Sequence, residues 1–336
     1  MSQSRVRIVD VADALGLSTA TVSNVIHGKT KKISDETVKR VQQELEKTGY
    51  IPNMAGILLA RNNSRIIGVV VNDHPKYEGR VLEDGFVMSS LNALSHEVNK
   101  KGYFLMIKTT TDINEVIVFA SMWNMDGLIL MGFCEENYER LRNQMRISFV
   151  VYDGYFDKCS KFVNLVIDNY DGGYKAGEYF KKLGHKKALC ISDNYICMDK
   201  ERIDGFCKAF EPGETVIWKI PNTKKGRVQF YKDKFLELSM LGITGVFAVS
   251  DYYALDFMQF LQGRGVRIPK DLQIIGMDDS MASRESIPAL TTIHQDADLR
   301  AKTAIECIED MREGRDFGTR IVLPVKLIKR ESTRKL

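Results

Sequence analysis

The chain has 336 residues, 44% of them hydrophobic and 27% charged, the make-up of a folded chain too long for one small core. Its formal net charge of +4 is confined to one segment: residues 1–65 hold ten Lys and Arg against six Asp and Glu, and the rest sums to zero. A polyanion partner is expected for that segment alone, and no apolar run is long enough to span a membrane.

Residues 6–26 read as two short helices across a tight turn. Val9, Val11, Ala12 and Leu15 mark the first, Gly16-Leu17-Ser18 is the turn, and Ser18 is placed to N-cap the second. Val22 and Ile26 lie four apart on one face of that second helix. Thr19, Ala20, Ser23 and Asn24 lie away from it and must face something other than the core. Two such helices, the second with a small polar outer face, fit the DNA major groove as a helix-turn-helix. Ser34 is placed to cap a third helix, whose Val38, Val41 and Leu45 close a three-helix core before Gly49 stops it. Pro52 and Asn53 then introduce a short helix carrying Ala55, Leu58 and Leu59. Ser18, Thr19, Ala20, Thr21, Ser23 and Asn24 make up the candidate DNA interface. Within it Thr19, Ala20 and Asn24 are the candidate base readers, with Thr21, Ser23 and Lys39 assigned to phosphates. The alternative is a three-helix module that binds protein.

The character changes at Ile66. IIGVVVND is an apolar run ending in polar residues, as expected of a strand buried on both faces. Helical pattern follows from about Arg80 to Lys101, then FLMIKT, helix, DGLILMG, helix and ISFVVYD. After VNLVIDN the series restarts: helix 170–183, KALCISD, helix from Asp199, TVIWKI, helix from Gly226, GVFAVSD, helix 252–263 and LQIIGMDD. Two βαβ series predict two doubly wound α/β lobes that bind ligand at the carboxyl ends of their strands. The tail holds more helix and strand than the second lobe needs, so the chain is expected to cross between lobes more than once. Asp73, Asp251 and Asp278 each follow a buried strand at the end where a cleft would open, and could accept hydrogen bonds from a polar ligand. A helix N-cap or an interlobe hydrogen bond is the alternative for each. The six cysteines form no CxxC pair and the five histidines show no metal-ligand spacing. Reduced cysteines in a cytoplasmic chain without metal or cofactor are therefore expected, and no leader pattern precedes the first helix.

Three stretches, VDVADALGLSTATVSNVIHGK, ISDETVKRV and GYIPNMAGILLA, resemble the heads of the lac repressor/galactose repressor family of bacterial transcription regulators. DNYDGGYKAGEYFKKLGHKK, RIDGF, VFAVSDYYAL, IPKDLQIIGMDDS and PALTTIHQ extend the resemblance over the body. It implies a head, a hinge helix whose leucine, here Leu59, wedges into the minor groove, and a periplasmic-binding-protein-like pair of lobes around a small effector. It also implies effector contacts at Arg202, Asp251 and Asp278. Two head positions depart from the family. Asn24 stands where arginine is common, and asparagine matches adenine rather than guanine. Gly56 stands where alanine is common and weakens a hinge helix by about 1 kcal/mol. The aromatic residue that often stacks on the effector is also missing, with Pro221 nearest its place; Tyr77, Phe86 or Tyr155 could stand in, although an aromatic after a strand is more often core.

The expectation is a multidomain protein with a small all-α head and a two-lobed α/β body. The head spans 1–50 and the hinge and linker 51–65; the first lobe takes 66–165 with 293–322, and the second 166–292 with 323–332. The expected function is a DNA-binding regulator that meets a palindromic operator as a homodimer and answers to a sugar, phosphosugar or nucleoside-like effector. A cytoplasmic solute-binding protein, or an enzyme acting on sugars or nucleotides, is the alternative on the same scaffold. Nothing after Glu331 carries a heptad, which favours a dimer over a tetramer joined through the tail.

Overall fold

A computed structural model describes residues 6–51, 64–133, 135–154 and 162–336. It divides into two compact units, Met1–Ser64 and Arg65–Leu336. The hinge with Leu59 and Gly56, Tyr155, Cys134 and Cys159 lie outside the described residues.

The head is three helices, α1 (Ile8–Leu15), α2 (Thr19–Ile26) and α3 (Asp35–Thr48). Its terminators are those the sequence supplies. Gly16 and Gly49 end α1 and α3 at φ of 66° and 62°, where a side chain would be strained. Ser18 and Ser34 accept the Thr21 and Thr37 backbone N–H groups at 3.1 and 3.3 Å. Val11, Ala12, Val22, Val25 and Val41 form the buried core. Val25, rather than Ile26, is the second buried position of α2, and Ile26 packs at the margin.

The body holds two six-stranded sheets. The first contains β1 (Ile66–Asn72), β2 (Phe104–Thr110), β3 (Gly127–Met131), β4 (Phe149–Tyr152), β5 (Val163–Ile167) and β11 (Arg320–Leu323), in the order β11-β5-β4-β3-β1-β2. The second contains β6 (Lys187–Ser192), β7 (Glu214–Lys219), β8 (Gly245–Ala248), β9 (Gln273–Asp278), β10 (Thr291–Gln295) and β12 (Val325–Ile328), in the order β12-β10-β9-β8-β6-β7. All pairings are parallel except β12 with β10. Strands β1, β3, β4 and β5 are buried almost throughout, which is why they read as unbroken apolar runs. The helices that later matter are α4 (Gly85–Lys100), α7 (Asn169–Leu183), α8 (Cys197–Phe210), α9 (Lys224–Met240), α10 (Asp251–Gln262) and α12 (Ala297–Glu313); α5 (Ile113–Met122), α6 (Glu135–Gln144) and α11 (Met281–Glu285) are the other α-helices of the body among the described residues.

The chain changes sheets three times, between β5 and β6, between β10 and β11, and between β11 and β12. This moves the expected boundaries: the first lobe keeps β5 to Ile167 and β11 to Leu323. The second lobe keeps β10, so the return to the first lobe follows Gln295 rather than beginning at 293. The reason is register: His294 stands opposite Asp278 on β9, and Gln295 opposite Val325 on β12.

In the second lobe α7 crosses α8 at backbone contact. A Cβ on Gly173 would lie 1.8 Å from the Arg202 carbonyl oxygen, and one on Gly205 would lie 2.1 Å from the Tyr170 carbonyl oxygen. The glycines of DGGYKAG and RIDGF let the helices close, and the crossing seats Arg202 against Asn169.

Candidate DNA-reading face and interlobe cleft

On the head, Ser18, Thr19, Ala20 and Asn24 are exposed along α2, while Thr21 and Ser23 are half-buried. Ser18 and Thr21 also share a hydroxyl hydrogen bond of 2.9 Å, so Thr21 reaches outward less freely than Thr19. The exposed Asn24 side chain makes no hydrogen bond among the described residues. Lys29, Lys31, Lys32 and Lys39 of the head are exposed. Arg40 donates to the Leu15 carbonyl at 3.2 Å and ties α3 to the end of α1.

In the body, Asp251 and Asp278 meet at the ends of β8 and β9 with Arg202 of α8 beside them, and Asp73 stands after β1 of the first lobe; the four are in different states. Asp73 follows β1, and its Oδ1 is buried without a hydrogen-bond partner, as is Oδ1 of the adjacent Asn72. Arg202, 7% exposed, donates from Nε to Asn169 at 2.8 Å and from Nη1 to the Val249 carbonyl at 2.7 Å. Its Nη2 makes no hydrogen bond among the described residues.

Asp278 sits at φ 132°, a conformation that L residues rarely adopt and that is kept where the surroundings over-determine it. Its Oδ1 accepts from Gln295 Nε2 at 2.7 Å and its Oδ2 from the Asp251 N–H at 3.3 Å. Burial, and then the neighbouring Asp251 carboxylate, push its carboxyl well above the usual carboxylate range. Asp251 is 1% exposed and spent internally: Oδ2 accepts from the Ser280 N–H at 2.8 Å and its hydroxyl at 2.9 Å, and Oδ1 accepts from the Thr292 hydroxyl at 2.5 Å. The helix cap there is Ser250, not Asp251. Both Asp251 oxygens therefore brace the segment after β9 and strand β10.

Phe86 lies in the first turn of α4, half-buried, with its ring 5.4 Å from the Arg300 guanidinium carbon. Trp218 belongs to β7 and is 5% exposed, so it offers no stacking face.

Other residues complete the cleft. Burial opposes the charge on Lys76, but Tyr77 and then Asp193, Asp199 and Asp84 raise its pKa above the ordinary value. Lys76 is on the first lobe, and Asp193 and Asp199 are on the second, so the two lobes face each other electrostatically here. Asp199 accepts from Ser192 Oγ at 2.9 Å and from Asn194 Nδ2 at 2.8 Å, and burial raises its carboxyl against the pull of Arg202. Tyr77 is pushed up to about 12 by burial. Asp193 ends KALCISD as Asp251 ends GVFAVSD, so the strand-end rule alone could have found it. Lys76, Asp84 and Asp199 carry no such signal. A Cβ on Gly85 would come within 3.1 Å of Ser280 Cβ, a second close approach of the lobes. An open cavity of about 600 Å³, lined by Glu78, Lys224, Lys225, Val228, Gln229 and Lys232, contains none of the expected ligand contacts. Among the described residues no cluster could hold a metal ion, and no helix is long and apolar enough to cross a membrane.

Residues 7–53 match the model of bacterial regulatory proteins of the lacI family, and residues 178–333 match a periplasmic binding protein-like domain. The chain is 30% identical to the HTH-type transcriptional repressor PurR of Aliivibrio salmonicida, covering 98% of this chain and 99% of that protein. It is 29% identical to the HTH-type transcriptional regulator DegA of Bacillus subtilis, over 97% of each. The lac repressor dimer, solved with operator and the anti-inducer ONPF, superposes with a TM-score of 0.83 at 21% identity, over 98% of this chain and 99% of that one, a likeness of fold. With a capped helix-turn-helix head on a two-lobed body, and near-full-length identity to such repressors, the chain belongs to the lacI family of bacterial regulatory proteins and is a DNA-binding transcriptional regulator with an effector-binding body.

Proposed function

We propose that this regulator binds a palindromic operator as a homodimer, with α2 of each head in a major groove, and that an effector held between the lobes changes operator affinity. The observation that carries the reading is the outer face of α2. Thr19, Ala20 and Asn24 are exposed there while Val22 and Val25 anchor the helix beneath them, in the segment that holds the whole basic excess. Asn24 offers its amide to adenine, Ala20 a methyl contact to thymine, and Lys39 a phosphate contact. Leu59 is assigned the minor-groove wedge. The domain plan is a head to residue 50, a hinge to 65, and two lobes exchanging chain near 168, 296 and 324.

The effector contacts are Asp73, Arg202 and Asp278, with Phe86 on the first-lobe wall. The unpartnered Asp73 oxygen supports this set. The ligand class is a sugar, phosphosugar or nucleoside-like molecule, bound and released without turnover in the cytoplasm.

Selection of DNA from a random pool by the full-length chain should return a palindrome, bound by a species of dimer mass. A monomer at micromolar concentration, or equal affinity for the palindrome and its scrambled form, overturns the reading. A thermal-shift screen of sugars, phosphosugars and nucleosides against the wild type and Asp278→Asn identifies the effector class, since a ligand of the folded state raises its stability by mass action.

A further inference from the structure

At the crossover after β10 one chain of hydrogen bonds joins the lobes, and its polarity is imposed from the first lobe. Arg300, on α12 and 2% exposed, pairs with Asp153 at 2.8 Å and donates to the Leu165 carbonyl at 2.8 Å, both at the first sheet. Its Nη1 donates to Oε1 of Gln295 at 3.3 Å. A guanidinium carries donors only. Gln295 must therefore turn its carbonyl oxygen to Arg300, which leaves its amide nitrogen as the donor to Asp278 Oδ1 at 2.7 Å. The β9–β10 register places the two ends side by side, because His294 stands opposite Asp278. The Gln295 amide thus donates to Oδ1 of Asp278, and the Asp251 N–H to Oδ2.

We infer that Gln295 is a positioning residue for the ligand contact at Asp278, and that Arg300 uses it to make that contact depend on the arrangement of the lobes. The inference rests on the proposed reading of Asp278 as an effector contact. When α12 stays against β10, Gln295 presents its N–H group and Asp278 is oriented as an acceptor toward the cleft. When a lobe rotation withdraws Arg300, the amide is free to flip, and Oδ1 of Asp278 loses the N–H donor that orients it. A ligand that donates a hydrogen bond to Asp278 binds the first arrangement better and so favours it. The coupling is reciprocal: whatever holds the lobes in that arrangement raises the affinity for the ligand. Phe86, stacked near the same guanidinium, ties the first-lobe wall of the cleft to this switch.

The test needs no identified effector. Gln295→Glu keeps an acceptor for Arg300 but sets a carboxylate against Asp278, and it should lower the urea midpoint of the full-length chain. Adding Asp278→Asn supplies an amide that donates to the new carboxylate. The double variant should then be more stable than Q295E alone, with a coupling of roughly threefold to a hundredfold in the unfolding equilibrium constant. If Q295E gives no soluble protein, recovery of soluble protein by D278N is the readout.

A second cycle tests Arg300, which does not touch Asp278. Arg300→Met paired with Asp153→Asn leaves no orphaned buried charge. In that background Gln295 is free to turn, and D278N should cost less than it does beside the native arginine. Absence of recovery in the first cycle overturns the bridge, and equal cost in both backgrounds overturns the control by Arg300. A ligand from the screen whose stabilisation is untouched by D278N would instead overturn the effector reading of Asp278, which keeps the two failures apart.

Discussion

Gly173→Ala places a methyl group against backbone. Its Cβ would lie 1.8 Å from the Arg202 carbonyl oxygen, 2.7 Å from the carbonyl carbon and 3.0 Å from Cα. Carbon and oxygen settle at about 3.3–3.6 Å, so α7 and α8 must part by roughly 1.5 Å along that line. No rotamer change absorbs this, because the opposing atoms are main chain within a regular helix. The same separation unseats Gly177 from the Phe206 carbonyl and loosens the stack of Phe206 on Phe247, whose centroids are 5.1 Å apart. Overpacking commonly costs 1–3 kcal/mol, and a backbone collision belongs at the upper end, about 3 kcal/mol. The chain has two tryptophans, Trp123 and Trp218, so Trp123→Phe leaves the buried Trp218 as the one indole, reporting on the second lobe. Urea unfolding followed by its emission should show the loss. Gly263→Ala is the control: its φ is −63° and its nearest neighbours are at 3.4 Å, so alanine there should be neutral or stabilise by up to about 1 kcal/mol. A G173A protein within about 0.5 kcal/mol of its parent would refute the reasoning.

Three further outcomes follow from the structure. Asp251 and Asp278 both have folded-state pKa values above the ordinary 3.8, through burial and, for Asp278, its neighbour Asp251. The folded state therefore keeps protons that the unfolded state has lost, and this contribution to stability declines as pH rises from the ordinary carboxylate range through the raised values. Asp278→Asn removes one such group, so its stability relative to wild type should improve as pH rises in a urea series; a flat difference would count against the burial argument. Arg227 is fully buried, with Nε 2.7 Å from Asp256, Nη1 2.8 Å from the Asn222 carbonyl and Nη2 2.7 Å from the Tyr252 hydroxyl. Arg227→Met should cost about 3–5 kcal/mol in chemical denaturation by orphaning Asp256, and Asp256→Asn should restore part of it. On the head, Asn24→Ala should lose about 1–3 kcal/mol at one base position, while Lys39→Ala should weaken all sequences alike and lower the salt slope by about one, both read by titration on variant operators.

Much of this was legible in the chain. Ser18, Gly16, Ser34 and Gly49 bound the head helices because capping and left-handed termination are satisfied within a few residues, so local chemistry decides them. The apolar runs named the doubly buried strands for the same reason, since burial on both faces leaves no alternation to hide. Arg202 was reached through RIDGF, and its glycine, by allowing the close crossing with α7, is part of why it sits where it does.

Asp251 and Asp278 show where local reasoning ends. Each is an aspartate at or just past the end of a buried strand, and the sequence around them carries the same signal. Only the pairing of β9 with β10 brings Thr292 and Ser280 onto Asp251 and consumes it, while Gln295 meets Asp278. The allotment of β10 to the second sheet was undecidable from its own residues, because an apolar strand can extend either sheet and register alone selects one. Lys76, Asp193, Asp199, Gln295 and Arg300 take their meaning from partners on other strands and on the other lobe. The sequence by itself thus determined the elements and the ends of the head helices, because those depend on short-range hydrogen bonds and burial pattern. The tertiary structure decided which polar groups remain free for a ligand, because that depends on which distant donors have already claimed them.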